Sequence, residues 1–223
     1  MILNATAGDN NVGYVVSNNC GNVVIKNGTT ITAKTTGVAF DVYGGFGDYG
    51  DVSVTLEAGA TVNGKVEVAR DTGTQNKNTL TVTGGTVNGE LAVTQNAKTE
   101  VAVTGGTFSS DVSAYAAGNT PVASNNGTYY VGAETIQNAA NTLSAGQQLK
   151  IEKGTVTING NTVTAGTSYT VPSRYYYYQP TTDTKTTDTK GSPKTFDAGI
   201  ALYVGMALTS AAGVAFVGKK RED

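Results

Sequence analysis

The chain has 223 residues, of which 14% are charged, with a formal net charge of −2, one cysteine and no histidine. So little net charge leaves no electrostatic footprint for a nucleic acid. A lone Cys20 excludes an internal disulfide and a cysteine-built metal site, and the lack of histidine removes the usual general base, the commonest metal ligand and the Ser-His and Cys-His nucleophile pairs.

The length suits one domain of moderate size, or two small ones, with tails. Abundant Thr and Val favour pleated strands, and 29 glycines supply the positive-φ positions that frequent tight turns need. Met1-Ile2-Leu3 runs straight into polar sequence, without a basic start and apolar run. The expectation is that an export signal lies upstream of this sequence.

The body carries repeats. Val24 to Thr32 is a weak first copy, Val54 to Gly64 a second, Thr81 to Gly89 a third and Val101 to Phe108 a fourth. Val82-Thr83-Gly84-Gly85-Thr86 returns unchanged at Val103-Thr104-Gly105-Gly106-Thr107. Each unit reads as an alternating strand, a glycine turn and another alternating strand, too small to enclose a core alone. Periods of about 20–25 residues with this pattern predict a solenoid, a parallel β-helix whose coils stack, over residues 1–115. An antiparallel β-sandwich is the competing architecture. Residues 71–78, between the second and third copies, are expected to form a loop projecting from one coil.

The acidic residues and one arginine in this body are the candidates for carboxylate chemistry: Asp41, Asp48, Asp51, Glu57, Glu67, Arg70 and Asp71. On a solenoid, side chains form a line only where their repeat positions match. Glu67 and Glu90 stand at different offsets from Gly64 and Gly89, so they need not share a side. Asp48 and Asp51 flank a glycine-rich loop without recognisable calcium-ligand spacing. No helix or lysine follows those glycines as a phosphate loop requires. No cofactor and no metal site are expected; Glu67 and Glu90 read as solvated surface charge, and the loop of Asp48 and Asp51 as a turn.

From residue 116 the pattern changes to a β-rich cap, 116–173. Tyr129-Tyr130-Val131 reads as a strand, and Glu134 to Ser144 as a short helix with Ile136, Ala140 and Leu143 on one face. Residues 149–171 read as strands, with Asn159-Gly160 turning a hairpin between Val156–Ile158 and Thr162–Thr164. Such a cap closes the open end of a solenoid. Residues 174–191 follow as a linker. Tyr175 to Tyr178 opens it, and the Thr-Thr-Asp-Thr-Lys repetition over Thr181–Lys190 has no apolar residue to bury, so it predicts an extended or disordered spacer.

The last segment, 192–223, is the most informative. Ala198 to Gly218 has no charged residue and, as a helix, reaches about 30 Å, the thickness of a bilayer core. Lys219, Lys220 and Arg221 follow at once, a positive cluster that keeps this end cytoplasmic and the rest outside. Just before the span stands Ser192-Pro193-Lys194-Thr195-Phe196.

This order, a Pro-x-Thr motif, an apolar helix and a basic tail, resembles the cell-wall sorting signal of Gram-positive surface proteins. Ser192 and Phe196 stand where the common pattern has Leu and Gly. The stretch Gly105–Tyr115 is also similar to repeat regions of large clostridial-type surface proteins. The resemblance implies that a sortase cysteine attacks the Thr195 carbonyl, cleaves Thr195–Phe196 and joins Thr195 to a cell-wall amine. Pro193 would keep the motif extended for the enzyme's groove.

The expected protein is therefore all-β, a parallel β-helix-like solenoid with a C-terminal cap, a linker and one transmembrane helix, 198–218. Its expected role is a non-enzymatic adhesin or structural stalk, anchored at the cell surface. Its expected partners are sortase and peptidoglycan, the membrane through the helix, and a host or cell-surface glycan or protein. The alternatives are a fragment of a polysaccharide-degrading β-helix enzyme, or a tail-anchored membrane protein that sortase leaves uncut.

Overall fold

The computed structural model describes residues 1–4, 14–34, 37–45, 47–70 and 75–173. The chain divides into two units, Met1–Tyr175 and Tyr176–Asp223, and the second lies outside the described residues. So do Asp71, the tyrosine run, the linker, Ser192 to Phe196, the span 198–218 and Lys219 to Arg221.

Among the described residues of the first unit, the regular structure is strand apart from one short α-helix and two 3-10 turns. In chain order these are β1 (Ile2–Asn4), β2 (Tyr14–Asn18), β3 (Gly21–Ile25), β4 (Thr30–Thr32), β5 (Val38–Val42), β6 (Val52–Leu56) and β7 (Thr61–Asn63). There follow β8 (Lys65–Val68), β9 (Asn78–Val82), β10 (Thr86–Asn88), β11 (Leu91–Val93), β12 (Thr99–Val103) and β13 (Gly106–Phe108). Every third strand returns to the same sheet. One sheet runs β1-β4-β7-β10-β13, a second β2-β5-β8-β11 and a third β3-β6-β9-β12, all pairs parallel. This arrangement of parallel sheets is compatible with a β-solenoid, and antiparallel pairing begins only at the C-terminal end.

Register explains why the repeats recur. Val54 pairs with Leu80 and Leu80 with Val101, while Ile31, Val62, Val87 and Phe108 form another rank. The strict alternation of β6 and β9 buries every second side chain. These ranks meet in one core with Phe40, Val42, Val66, Val68 and Leu91 from the second sheet. Each fully buried side chain of this kind contributes about 1.5–3 kcal/mol.

The sequence repeat was read as two strands per unit, and the structure adds a third. Within one residue of Gly64 and of Gly89 the chain turns into β8 and β11. Close stacking at this corner explains the repeated Asn-Gly: a Cβ on Gly89 would lie 2.1 Å from the Gly64 carbonyl oxygen. Beside it the Asn88 amide donates to Asn63 Oδ1 (2.8 Å), and the Asn63 amide to Thr32 Oγ1 (3.1 Å).

The C-terminal part of this unit changes direction. The remaining elements are β14 (Val122–Asn125), β15 (Thr128–Val131), α1 (Ala133–Thr142), β16 (Gln148–Lys153), β17 (Thr155–Ile158), β18 (Asn161–Thr164) and β19 (Ser168–Thr170). β15 pairs antiparallel with β13, and β14, β16 and β19 continue that sheet. A second core forms here from Ile136, Ala140, Leu149, Ile151, Val156, Ile158 and Tyr169. Ile136 and Ala140 face it as the helical spacing predicts, with Leu143 packing against it from the residue that ends α1. In the β17–β18 hairpin Ile158 pairs with Asn161, and Asn159 and Gly160 between them both take positive φ, +48° and +81°.

Candidate functional site

Parallel stacking aligns side chains that lie far apart in sequence. On the second sheet Ser17 pairs with Asp41, Asp41 with Glu67, and Glu67 with Ala92. Neighbouring strands lie about 4.8 Å apart, so Ser17, Asp41 and Glu67 form a polar rank across three coils. Their inward-facing neighbours Val42 and Val68 are fully buried, which by strand alternation sends Asp41 and Glu67 to the opposite side.

Asp41 is nevertheless fully buried. Ser17 Oγ donates to its Oδ2 at 3.0 Å, whereas among the described residues its Oδ1 has no hydrogen-bond partner. Burial raises the Asp41 pKa above its ordinary value, opposed by the Ser17 hydrogen bond and the positive Arg70 and assisted by the negative Glu67.

Arg70 stands just beyond β8, after Ala69 turns the chain at φ +51°. Its guanidinium lies 4.0 Å from the centre of the Tyr43 ring and 5.3 Å from that of Tyr14. Its Nη1 also donates to the Tyr14 hydroxyl at 2.7 Å. That hydroxyl in turn donates to Glu67 Oε2 at 3.4 Å, and Lys65 Nζ donates to Glu67 Oε1 at 3.0 Å. Cation–π contacts at such partly exposed sites contribute about 0.5–1 kcal/mol each. The cluster ties β2 to the two coils that follow.

Of the sequence candidates, the structure brings Asp41, Glu67 and Arg70 together. Glu57 belongs to a different corner, between β6 and β7. Asp48 is exposed in a short 3-10 turn, Gly47–Tyr49. Asp51 is exposed, and its Oδ1 accepts the Lys77 backbone N–H at 2.8 Å, linking two corner loops. Glu90 is exposed just before β11, outside the rank of Glu67.

Tyr14, Ser17, Tyr43 and Lys65 belong to the cluster and were not singled out from the sequence. For Ser17 the signal is position: it precedes the last residue of β2 as Asp41 and Glu67 precede those of β5 and β8. Chemically the cluster pairs two cations with two carboxylates. Because Asp41 has no exposed surface, it presents no carboxylate to a substrate in this arrangement. Among the described residues no group of three or more His, Cys, Asp or Glu side chains could hold a metal ion. No helix among them is long and apolar enough to cross a membrane. Comparisons with protein-family models, with curated proteins and with solved structures gave no match.

Proposed function

We propose that this chain is a non-enzymatic bacterial surface protein, a stalk or adhesin displayed outside the cell and held by its C-terminus. The observation that carries the reading is the three-part order of the C-terminus: Ser192 to Phe196, the uncharged span 198–218, then Lys219, Lys220 and Arg221. The polar spacer Thr181–Lys190 stands just ahead of it, where a tether through a cell wall belongs.

The parallel sheets support the same reading. Each added coil lengthens a β-helix without needing a larger core, so the architecture suits a rod. In the proposed anchoring step, a sortase thiolate attacks the Thr195 carbonyl carbon and the Thr195–Phe196 amide bond breaks. Residues 196–223 leave with a new amino terminus, and the Thr195 acyl group passes to a peptidoglycan amine.

The test is fractionation of a Gram-positive host expressing the full gene product beside Thr195→Ala, with peptide mapping of the C-terminus. Wild type should be wall-linked and end at Thr195, and the variant should shift to the membrane fraction. A wild type that keeps residues 196–223 in the membrane refutes sortase anchoring and leaves a tail anchor. A chain soluble in the cytoplasm refutes surface display.

A further inference from the structure

A groove of about 540 Å³ runs along the first sheet beside α1. One wall is a ladder of threonines, Thr61, Thr86 and Thr107, which pair in register across three successive coils. The opposite wall is a polar stripe of α1, including Glu134, Asn138 and Thr142. Spacing of four residues places these on one side of the helix, while Ile136 and Ala140 are buried in the second core. Glycine turns at Gly59, Gly84–Gly85 and Gly106 line the groove without side chains that would fill it. Tyr130, the antiparallel partner of Thr107, adds a ring.

We propose that this groove binds a neutral oligosaccharide lying along the stack of coils. Among the described residues its lining holds no lysine or arginine, and Glu134 is its one charged side chain. Anionic chains such as phosphorylated polymers or uronates therefore have no counter-charge. A peptide adding itself as a strand has no edge to use, because β7, β10 and β13 are each paired on both sides. Hydroxyls, an amide and a carboxylate facing one another across a trough match the donors and acceptors of sugar hydroxyls. Three coils extend about 10 Å, room for two or three sugar units in a groove of ordinary ligand size.

The proposal deepens the adhesin reading by naming its ligand class, and rests on it only for where the ligand is met. Its test measures the purified full-length chain, so anchoring and sugar binding can fail separately. Cellotetraose, mannotetraose and N-acetylchitotetraose are titrated into the 15N-labelled chain, with tetragalacturonate as the anionic counterpart. At least one neutral probe should shift the amide signals of Gly84, Gly85, Gly106, Glu134 and Asn138, and leave those of Tyr14 and Glu67 unmoved. Removing two polar contacts in a Glu134→Gln/Asn138→Ala variant should weaken binding by about tenfold or more. Asp41→Asn, on another sheet, should bind as wild type does. The proposal is overturned if no neutral probe shifts these signals at about 10 mM, far above a useful Kd. It is equally overturned if tetragalacturonate binds more tightly, or if the double variant binds unchanged.

Discussion

Replacing Gly89 by alanine tests the stacking directly. The added Cβ would stand 2.1 Å from the Gly64 carbonyl oxygen, 2.3 Å from its carbon and 2.9 Å from the Lys65 nitrogen. Backbone atoms cannot rotate away as a side chain can, so the coils must part by more than about 1 Å to restore contact near 3.5 Å. Two hydrogen bonds oppose that movement, Gly64 N–H to Asn88 O at 3.0 Å and Val66 N–H to Glu90 O at 2.9 Å. Weakening both costs about 1–3 kcal/mol, and the crowding itself about 1–3 kcal/mol. The expected loss is therefore about 2–6 kcal/mol, or roughly 5–20 °C in Tm for a chain of this size. Gly118→Ala is the control: Gly118 has φ +52° with nothing within 4 Å of an added Cβ, so only the conformational penalty of about 1–2 kcal/mol applies. Urea or thermal melts of the full-length chain read both. If Gly89→Ala is no more harmful than Gly118→Ala, the coils do not approach as closely as the argument requires.

Other outcomes follow from the core and the buried acid. Phe108 is fully buried where the parallel stack meets the antiparallel strands, so Phe108→Ala should cost about 3–5 kcal/mol in the same melts. Asp41 has a folded pKa raised mainly by burial. Its contribution to stability is therefore fully present below the unfolded pKa and is lost as pH rises through the folded one. Asp41→Asn should raise Tm relative to wild type at pH 8, with the advantage shrinking as pH falls toward 4; an advantage independent of pH would contradict this assignment.

The legible part of the fold was whatever local chemistry controls. Alternation in Val52–Leu56 and Asn78–Val82, the glycine turns between strands, and the Asn159-Gly160 hairpin all express backbone preferences that need no distant partner. The third strand of each coil was less visible. Lys65–Val68 is four residues long and carries two charges, and Leu91–Val93 has only three residues, so neither sustains a period of its own.

The polar cluster was illegible for a different reason. Which residues share a rank depends on how many residues separate successive strands, and these numbers are unequal: two between β2 and β3, nine between β5 and β6. Ser17 and Asp41 stand 24 residues apart and Asp41 and Glu67 26 apart, and only parallel pairing puts them side by side. The groove beside α1 is likewise tertiary, because its walls come from three coils and a helix. The sequence by itself determined the strand-and-turn repeats, the amphipathic helix and the chemical character of the C-terminal segment, because composition and short-range spacing carry them. Only the tertiary structure decided which polar groups meet, because register between coils is set by packing and hydrogen bonding across the stack.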